Sequence, residues 1–166
     1  MTQIPTFSTV RLILRPMTFT DWPNYAAFMA SDRSRYMGGP YSTKAAWGMF
    51  GADHAQWDLF GAGALMIEDR ATGDCHGQVS INSGPFFPEA ELGWFVFSGA
   101  EGSGVAFEAA SALRDWARDV RQLSTLVSYV DPNNLRSRSL AERLGAAIDP
   151  KAMASDPSDL VYRHYG

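Results

Sequence analysis

The chain has 166 residues, enough for one domain with a single substantial core and short for two. Its 46% hydrophobic and 13% aromatic content, with 15 glycines and 9 prolines, excludes a disordered or fibrous chain. A formal charge of −4 and a pI near 5.3 argue against a general nucleic-acid binder, which needs a basic face, and suit cationic or neutral partners.

Cys75 is the only cysteine, so neither an intrachain disulfide nor a cysteine-cluster metal site can form, as expected of a reducing compartment; the cytoplasm is the default. His54, His76 and His164 are scattered without ligand spacing, and no metal is expected. The first residues carry neither the basic stretch nor the apolar run of a signal peptide, and no apolar run reaches membrane-spanning length. The expectation is a soluble protein that does not engage membranes.

In chain order, Val10 to Arg15 alternates apolar and basic residues before Pro16 and reads as a strand, with Arg11 and Arg15 facing solvent. Thr20-Asp-Trp-Pro23 opens a helix through Tyr25, Phe28 and Met29 that ends near Ala30. Gly38-Gly39-Pro40 breaks the chain, and Thr43 to Trp57 reads as a second helix. Ala64 to Asp69, a turn over Arg70 to Asp74, and Gln78 to Asn82 form a hairpin. Ala90 to Phe97 is the most apolar strand, with Gly93 marking a bulge or a close contact. Val105 to Arg121 repeats its apolar residues at three- and four-residue steps, an amphipathic helix. A strand at Leu123 to Val130, a turn and cap at Asp131 to Asn134, a helix from Leu135 to Leu144 closed by Gly145, and a strand at Leu160 to Tyr165 complete the chain. The class is α+β, a single domain over 1–166.

The stretch between the apolar strand and the amphipathic helix, Ser98-Gly-Ala-Glu-Gly-Ser-Gly104, reads as an anion cradle: glycines permit a tight turn, and the helix start supplies free N–H groups and the positive end of its dipole. It is not a P-loop, because Val105 and Ala106 stand where Lys and Ser or Thr are required. Nor is it a dinucleotide fingerprint, because Phe107 takes the place of the third glycine and no early βαβ unit surrounds it.

Glu101-Gly-Ser-Gly-Val-Ala106 resembles the pyrophosphate loop of the GNAT superfamily of acetyl-CoA-dependent N-acetyltransferases, Gln/Arg-x-x-Gly-x-Gly/Ala. Asn134-Leu-Arg-Ser137 before Leu140-Ala-Glu-Arg-Leu-Gly145 is similar to that superfamily's second cofactor segment. Thr9 to Pro16 with Asp21, Glu91-Leu-Gly-Trp94 and Ala106 to Ala109 resemble the branch holding ribosomal-protein N-terminal and spermidine acetyltransferases, so the likeness covers nearly the whole chain. It implies a mixed, mostly antiparallel sheet flanked by helices, with strands near 90–97 and 125–130 splayed to admit a pantetheine arm.

The resemblance implies acetyl-CoA as co-substrate, held by Phe95, Val96, Phe97, Gly102, Ser103, Gly104, Val105, Ala106, Asn134 and Ser137, and a small-molecule amine or peptide N-terminus as acceptor. Glu91 is the base or substrate contact, against a plain strand residue; Glu89 is the weaker candidate. Ser137 is the acid for the leaving thiolate, because Ala141 stands where the superfamily often has tyrosine; a first-turn helix role fits it equally. Asn134 is a pantetheine contact or only a cap. Glu101 departs from the motif and is expected to point to water, with Arg136, Arg138 or Arg143 compensating, and Glu108 to sit at the helix dipole. Two or three of Tyr36, Tyr41, Trp47, Phe50, Trp57, Phe86 and Phe87 line the acceptor pocket. Cys75 is an inert thiol, so transfer is direct, without a covalent enzyme intermediate. A non-catalytic acyl-CoA-binding module is the alternative, and a homodimer is the base-rate assembly.

Overall fold

The computed structural model describes residues 2–166, and its alternating apolar stretches pair into one eight-stranded sheet. The elements are β1 (Phe7–Ser8), β2 (Leu12–Arg15), α1 (Trp22–Ala30), α2 (Thr43–Phe60), β3 (Ala64–Asp69), β4 (Cys75–Asn82), β5 (Glu91–Val96), α3 (Val105–Asp119), β6 (Leu126–Val130), α4 (Leu135–Arg143), β7 (Ala147–Ile148) and β8 (Leu160–Tyr165). The spatial order is β1-β2-β3-β4-β5-β6-β8-β7, antiparallel at every pair except the parallel β5–β6. Neither β1 nor β7 is foreseen in the sequence, since two-residue edge strands leave no periodicity to read.

Both faces of the central strands are covered, which explains the unbroken apolar run Ala64-Leu-Met-Ile67 in β3. Leu65 and Ile67 pack with Val79, Ile81 and Leu92 against Ala109, Ala110, Leu113 and Ala117 of α3. Ala64 and Met66 face the other way, into a cluster with Tyr25, Phe28 and Met29 of α1, Ala46 and Phe50 of α2, and Phe97. Truncating a side chain as deeply buried as Leu113, 0% exposed, costs about 2–5 kcal/mol.

One of the local expectations is corrected. Arg15 does not face solvent: its guanidinium binds Asp21 through two contacts of 2.9 Å and also pairs with Glu68. Asp21 is only 3% exposed and its charge needs that partner. Burial works against the Asp21 charge, but Arg15 and the Thr18 N–H outweigh it and hold the carboxyl below its ordinary range. Arg11 does face solvent, its side chain 48% exposed, while it also pairs with Glu108 at 2.8 Å and the Ser103 carbonyl at 2.9 Å. Gly93 fits the second of its two readings, a close contact and not a bulge, for β4 and β5 stay in register from Gly77↔Val96 to Asn82↔Glu91. It spares space instead: a Cβ there would lie 3.1 Å from both Asn82 Nδ2 and Ser80 Oγ and 3.6 Å from Glu91 Oε1.

Among the described residues no helix is long and apolar enough to cross a membrane, and no group of three or more His, Cys, Asp or Glu is placed to hold a metal.

Candidate active site

The parallel strands β5 and β6 touch in register only at Glu91↔Val127, where the Val127 N–H donates to Ala90 O at 3.1 Å. A polar knot closes this junction. The Ser128 hydroxyl donates to Leu92 O at 2.6 Å and lies 2.8 Å from His164 Nε2. Because the hydroxyl proton goes to Leu92, the imidazole Nε2 must be the donor. Burial, aided by Arg114, pushes the His164 pKa down to about 4, so the ring is neutral. Beyond the knot the strands separate. Strand backbones alternate their direction, so Trp94 and Val96 present their N–H and C=O groups to the same edge as Leu92, while Phe97 donates to His76 O on β4 at 2.7 Å. The Val96 carbonyl in the gap accepts from Arg33 Nη2 at 2.7 Å.

A cavity of about 870 Å³ opens on the α3 and α4 side of this gap. Its floor is the glycine turn. Gly104 caps α3 in the left-handed conformation (φ +81°) without a side-chain cap, so the first-turn N–H groups of Val105, Ala106 and Phe107, which line the cavity, lack intrahelical partners. Gly102 also has positive φ (+73°), and a Cβ there would meet nothing within 4 Å, so the backbone lies open to a ligand. Glu108 is more than a dipole partner: it binds the Thr9 hydroxyl and both the Arg11 N–H and Nε, tying the first hairpin to α3, while Arg11 grips Ser103 O in the turn. Glu101 does not point to water. It accepts from Gly99 N–H at 2.8 Å and pairs with Arg33, so its charge is spent on folding the loop. Arg33, Arg35, Arg136 and Arg143 line the cavity against Glu101 alone, Arg143 stacked 4.7 Å from the Phe107 ring centroid. Arg138 lies outside, bound to Tyr162 Oη and Pro132 O.

A second cavity, about 860 Å³, lies on the α1 and α2 side and shares Trp94, Phe95, Asn134 and Ser137 with the first. Glu91 sits in it, its Oε1 taking Asn82 Nδ2 at 2.9 Å and its Oε2 the Tyr129 N–H at 3.3 Å. Burial, with a smaller push from Asp159, outweighs those hydrogen bonds and raises its pKa to about 7. Asp53 of α2 lines the same cavity and accepts from Tyr25 Oη at 2.7 Å and Gln78 Nε2 at 3.0 Å. Burial raises its pKa to about 6. The ionisable lining comprises Arg35 against Asp53, Glu91, Asp131, Asp156 and Asp159.

The sequence matches the family model described as Acetyltransferase (GNAT) domain over residues 11–147. This chain belongs to the GNAT acetyltransferase family. A crystal structure of an acetyltransferase from Agrobacterium tumefaciens strain C58 is 55% identical and superimposes with a TM-score of 0.96 over 99% of this chain and 96% of that one. The microcin C7 self-immunity acetyltransferase MccE, solved in complex with acetyl-CoA and AMP, shares the fold at 14% identity, with a TM-score of 0.71 over 93% of this chain and 91% of that one. The uncharacterised protein YkkB of Bacillus subtilis strain 168 is 31% identical over 88 residues, and the match spans about half of each chain, 52% of this one and 51% of YkkB.

Within this GNAT domain, Phe95, Val96, Gly102, Gly104, Val105, Ala106, Asn134 and Ser137 all line the first cavity. Phe97 and Ser103 do not. Phe97 is buried in the α1 and α2 core, because its side chain falls on the face opposite Val96, and Ser103 turns its hydroxyl onto Ala100 O. Asn134 caps α4 through Oδ1 to the Ser137 N–H at 3.2 Å, while its Nδ2 and Trp94 Nε1 both donate to Ser137 Oγ at 3.1 and 3.3 Å. Glu89 is held by Arg163 through two contacts of 2.9 Å. Ala141 is buried in a cluster with Val130, Ala146 and Tyr162. Of the aromatic candidates, Tyr36, Phe86 and Phe87 line the second cavity, whereas Trp57 and Phe50 belong to the core and Tyr41 and Trp47 lie outside the lining. The Cys75 thiol is raised to about 11 by burial and stays protonated. The sequence reading passed over Arg33, Asp53 and Gln78.

Proposed function

We propose that this protein transfers an acetyl group from acetyl-CoA to a primary amine by direct attack in a ternary complex. The observation that carries the reading is the parting of β5 and β6 beyond Glu91↔Val127, which joins a basic cavity at a helix start to an acidic cavity holding Glu91. The donor-side residues fit acetyl-CoA. Open backbone at Gly102 and the free N–H groups of Val105 to Phe107 suit a pyrophosphate, and Arg136 and Arg143 flank it. The edge of Trp94 and Val96, which no strand pairs beyond Glu91↔Val127, suits a pantetheine amide, and an N–H on that edge would serve the thioester oxygen as an oxyanion donor.

Acetyl-CoA supplies an activated acyl carbon, and this chain supplies position and protons. An alkyl ammonium has a pKa of roughly 10, so the acceptor must lose a proton before its lone pair can attack. Glu91 is the base, directly or through one water, because a carboxyl with a pKa of about 7 is half ionised near neutrality. The new C–N bond forms as the C–S bond breaks and the thiolate leaves with the electron pair. Ser137 Oγ already accepts two hydrogen bonds, which leaves its own proton free to turn into the shared space toward the sulfur.

Calorimetric titration with acetyl-CoA, followed by thiol-release assays over amines and peptide N-termini, tests the reading. Binding with amine-dependent release is expected; binding without release for any acceptor identifies a non-catalytic module.

A further inference from the structure

The second cavity carries a built polar site that the transfer chemistry does not use. Asp53 Oδ2 takes both available donors, from Tyr25 and Gln78, and its Oδ1 takes none. The side chains that hydrogen-bond Asp53 are both neutral. Gln78, only 3% exposed, lines the same cavity, and its Oε1 has no hydrogen-bond partner. The half-buried carboxylate keeps one oxygen that no protein donor reaches, and the buried amide carbonyl of Gln78 has no donor at all, which is costly to leave unmatched. Met29 and Met49 supply apolar wall beside them.

Asp53 is coupled to Gln78 and Glu91 to Asn82, four residues apart along one face of β4. Four strand residues span about 13 Å, whereas α2 advances about 5 Å between Asp53 and Gln56, the residue that reaches Asn82. The two carboxylates therefore sit at separate points of the cavity, each beside its own amide.

We propose that the acceptor is a small aliphatic diamine whose non-reacting ammonium is held by Asp53 and Gln78 while its reacting nitrogen lies at Glu91. The inference rests on the acetyl-transfer reading above and names its substrate class. An ammonium supplies the donors that both orphaned oxygens lack, and an aliphatic spacer suits the apolar wall. The excess of carboxylates over Arg35 at the cavity draws in a dication more strongly than a monocation.

The test compares α,ω-diamines of three to six carbons with linear monoamines of equal length in steady-state acetylation, and measures diamine binding to the CoA-bound protein by calorimetry. The diamine is expected to exceed the monoamine in kcat/KM by about tenfold or more, the scale of a charge-assisted contact, at one or more chain lengths. Asp53→Asn should bring that ratio below about threefold, and Gln78→Met, which removes the carbonyl without changing the shape much, should lower it in the same direction. Equal use of diamine and monoamine at every length, or a preference that persists in folded Asp53→Asn, overturns the inference and leaves acetyl transfer standing. Asp53-dependent diamine binding with no acetylation of any amine supports the site and overturns the transfer reading.

Discussion

The two cavities that meet at Trp94 and Ser137 are close to equal in size, about 870 and 860 Å³, but they are built differently. The donor half takes its positive potential from backbone N–H groups at the start of α3 and from arginines around its rim. Backbone donors survive changes of side chain, which is why Glu101 can stand at a position the family fills with arginine or glutamine: its charge is absorbed by Arg33 and the Gly99 N–H. The second cavity, the acceptor half in the proposed reaction, takes its negative potential from half-buried side chains, Asp53 and Glu91, each fixed by a neighbouring amide. In the proposed reaction, selectivity is thus concentrated where side chains do the recognising, and donor binding where the backbone does.

The largest expected effects come from breaking one half without the other. Gly104→Trp forces a left-handed position (φ +81°) to carry a side chain whose Cβ would lie 3.2 Å from Arg11 Nη2, so acetyl-CoA binding measured by calorimetry should be lost. Glu91→Gln should lower kcat by roughly 10²- to 10⁴-fold with acetyl-CoA affinity retained. In the parent protein kcat/KM should fall as pH drops through about 7, because Glu91 takes up a proton there, and the substitution should remove that limb. The stability sign runs the other way. The native pKa of about 7 exceeds the ordinary 4.5, so ionising Glu91 removes stability as pH rises between those values, and Glu91→Gln should gain more in Tm at pH 8 than at pH 4.

Smaller changes sharpen the comparison. Arg33→Ala frees Glu101 beside the donor site and should weaken acetyl-CoA by about tenfold, and adding Glu101→Ala should recover part of the loss in a double-mutant cycle. Ser128→Ala unties Leu92 O and His164 Nε2 at the point where the strands part, and should cost about 1–3 kcal/mol in urea unfolding. Cys75→Ala should keep kcat within about twofold, since a thiol raised to about 11 is no nucleophile near neutral pH.

Much of this was legible in the sequence because its signals are local. Glycine turns, the three- and four-residue steps of α3 and the Asn134 cap are written in neighbouring residues, and each helix lies within a few residues of its expected place. The donor loop follows for the same reason. The acceptor half was harder to read. Gln78, Ser80 and Asn82 alternate with Val79 and Ile81, the pattern of a strand with a wet face, yet Gln78 and Ser80 are buried because α2 covers that face and encloses a cavity. Asp53 gains meaning only from Tyr25 and Gln78, each about 25 residues away or more, and Arg33 only from Val96 and Glu101. Long-range pairing of single charges leaves no periodic trace, and that is where the site reading stopped.

The central claim is that a donor and an amine occupy the two halves together and react directly. Initial rates measured with acetyl-CoA and a diamine both varied test this most directly. Intersecting double-reciprocal lines, with CoA release dependent on the amine, are predicted; parallel lines, or no amine-dependent release from protein that binds acetyl-CoA, would contradict the account.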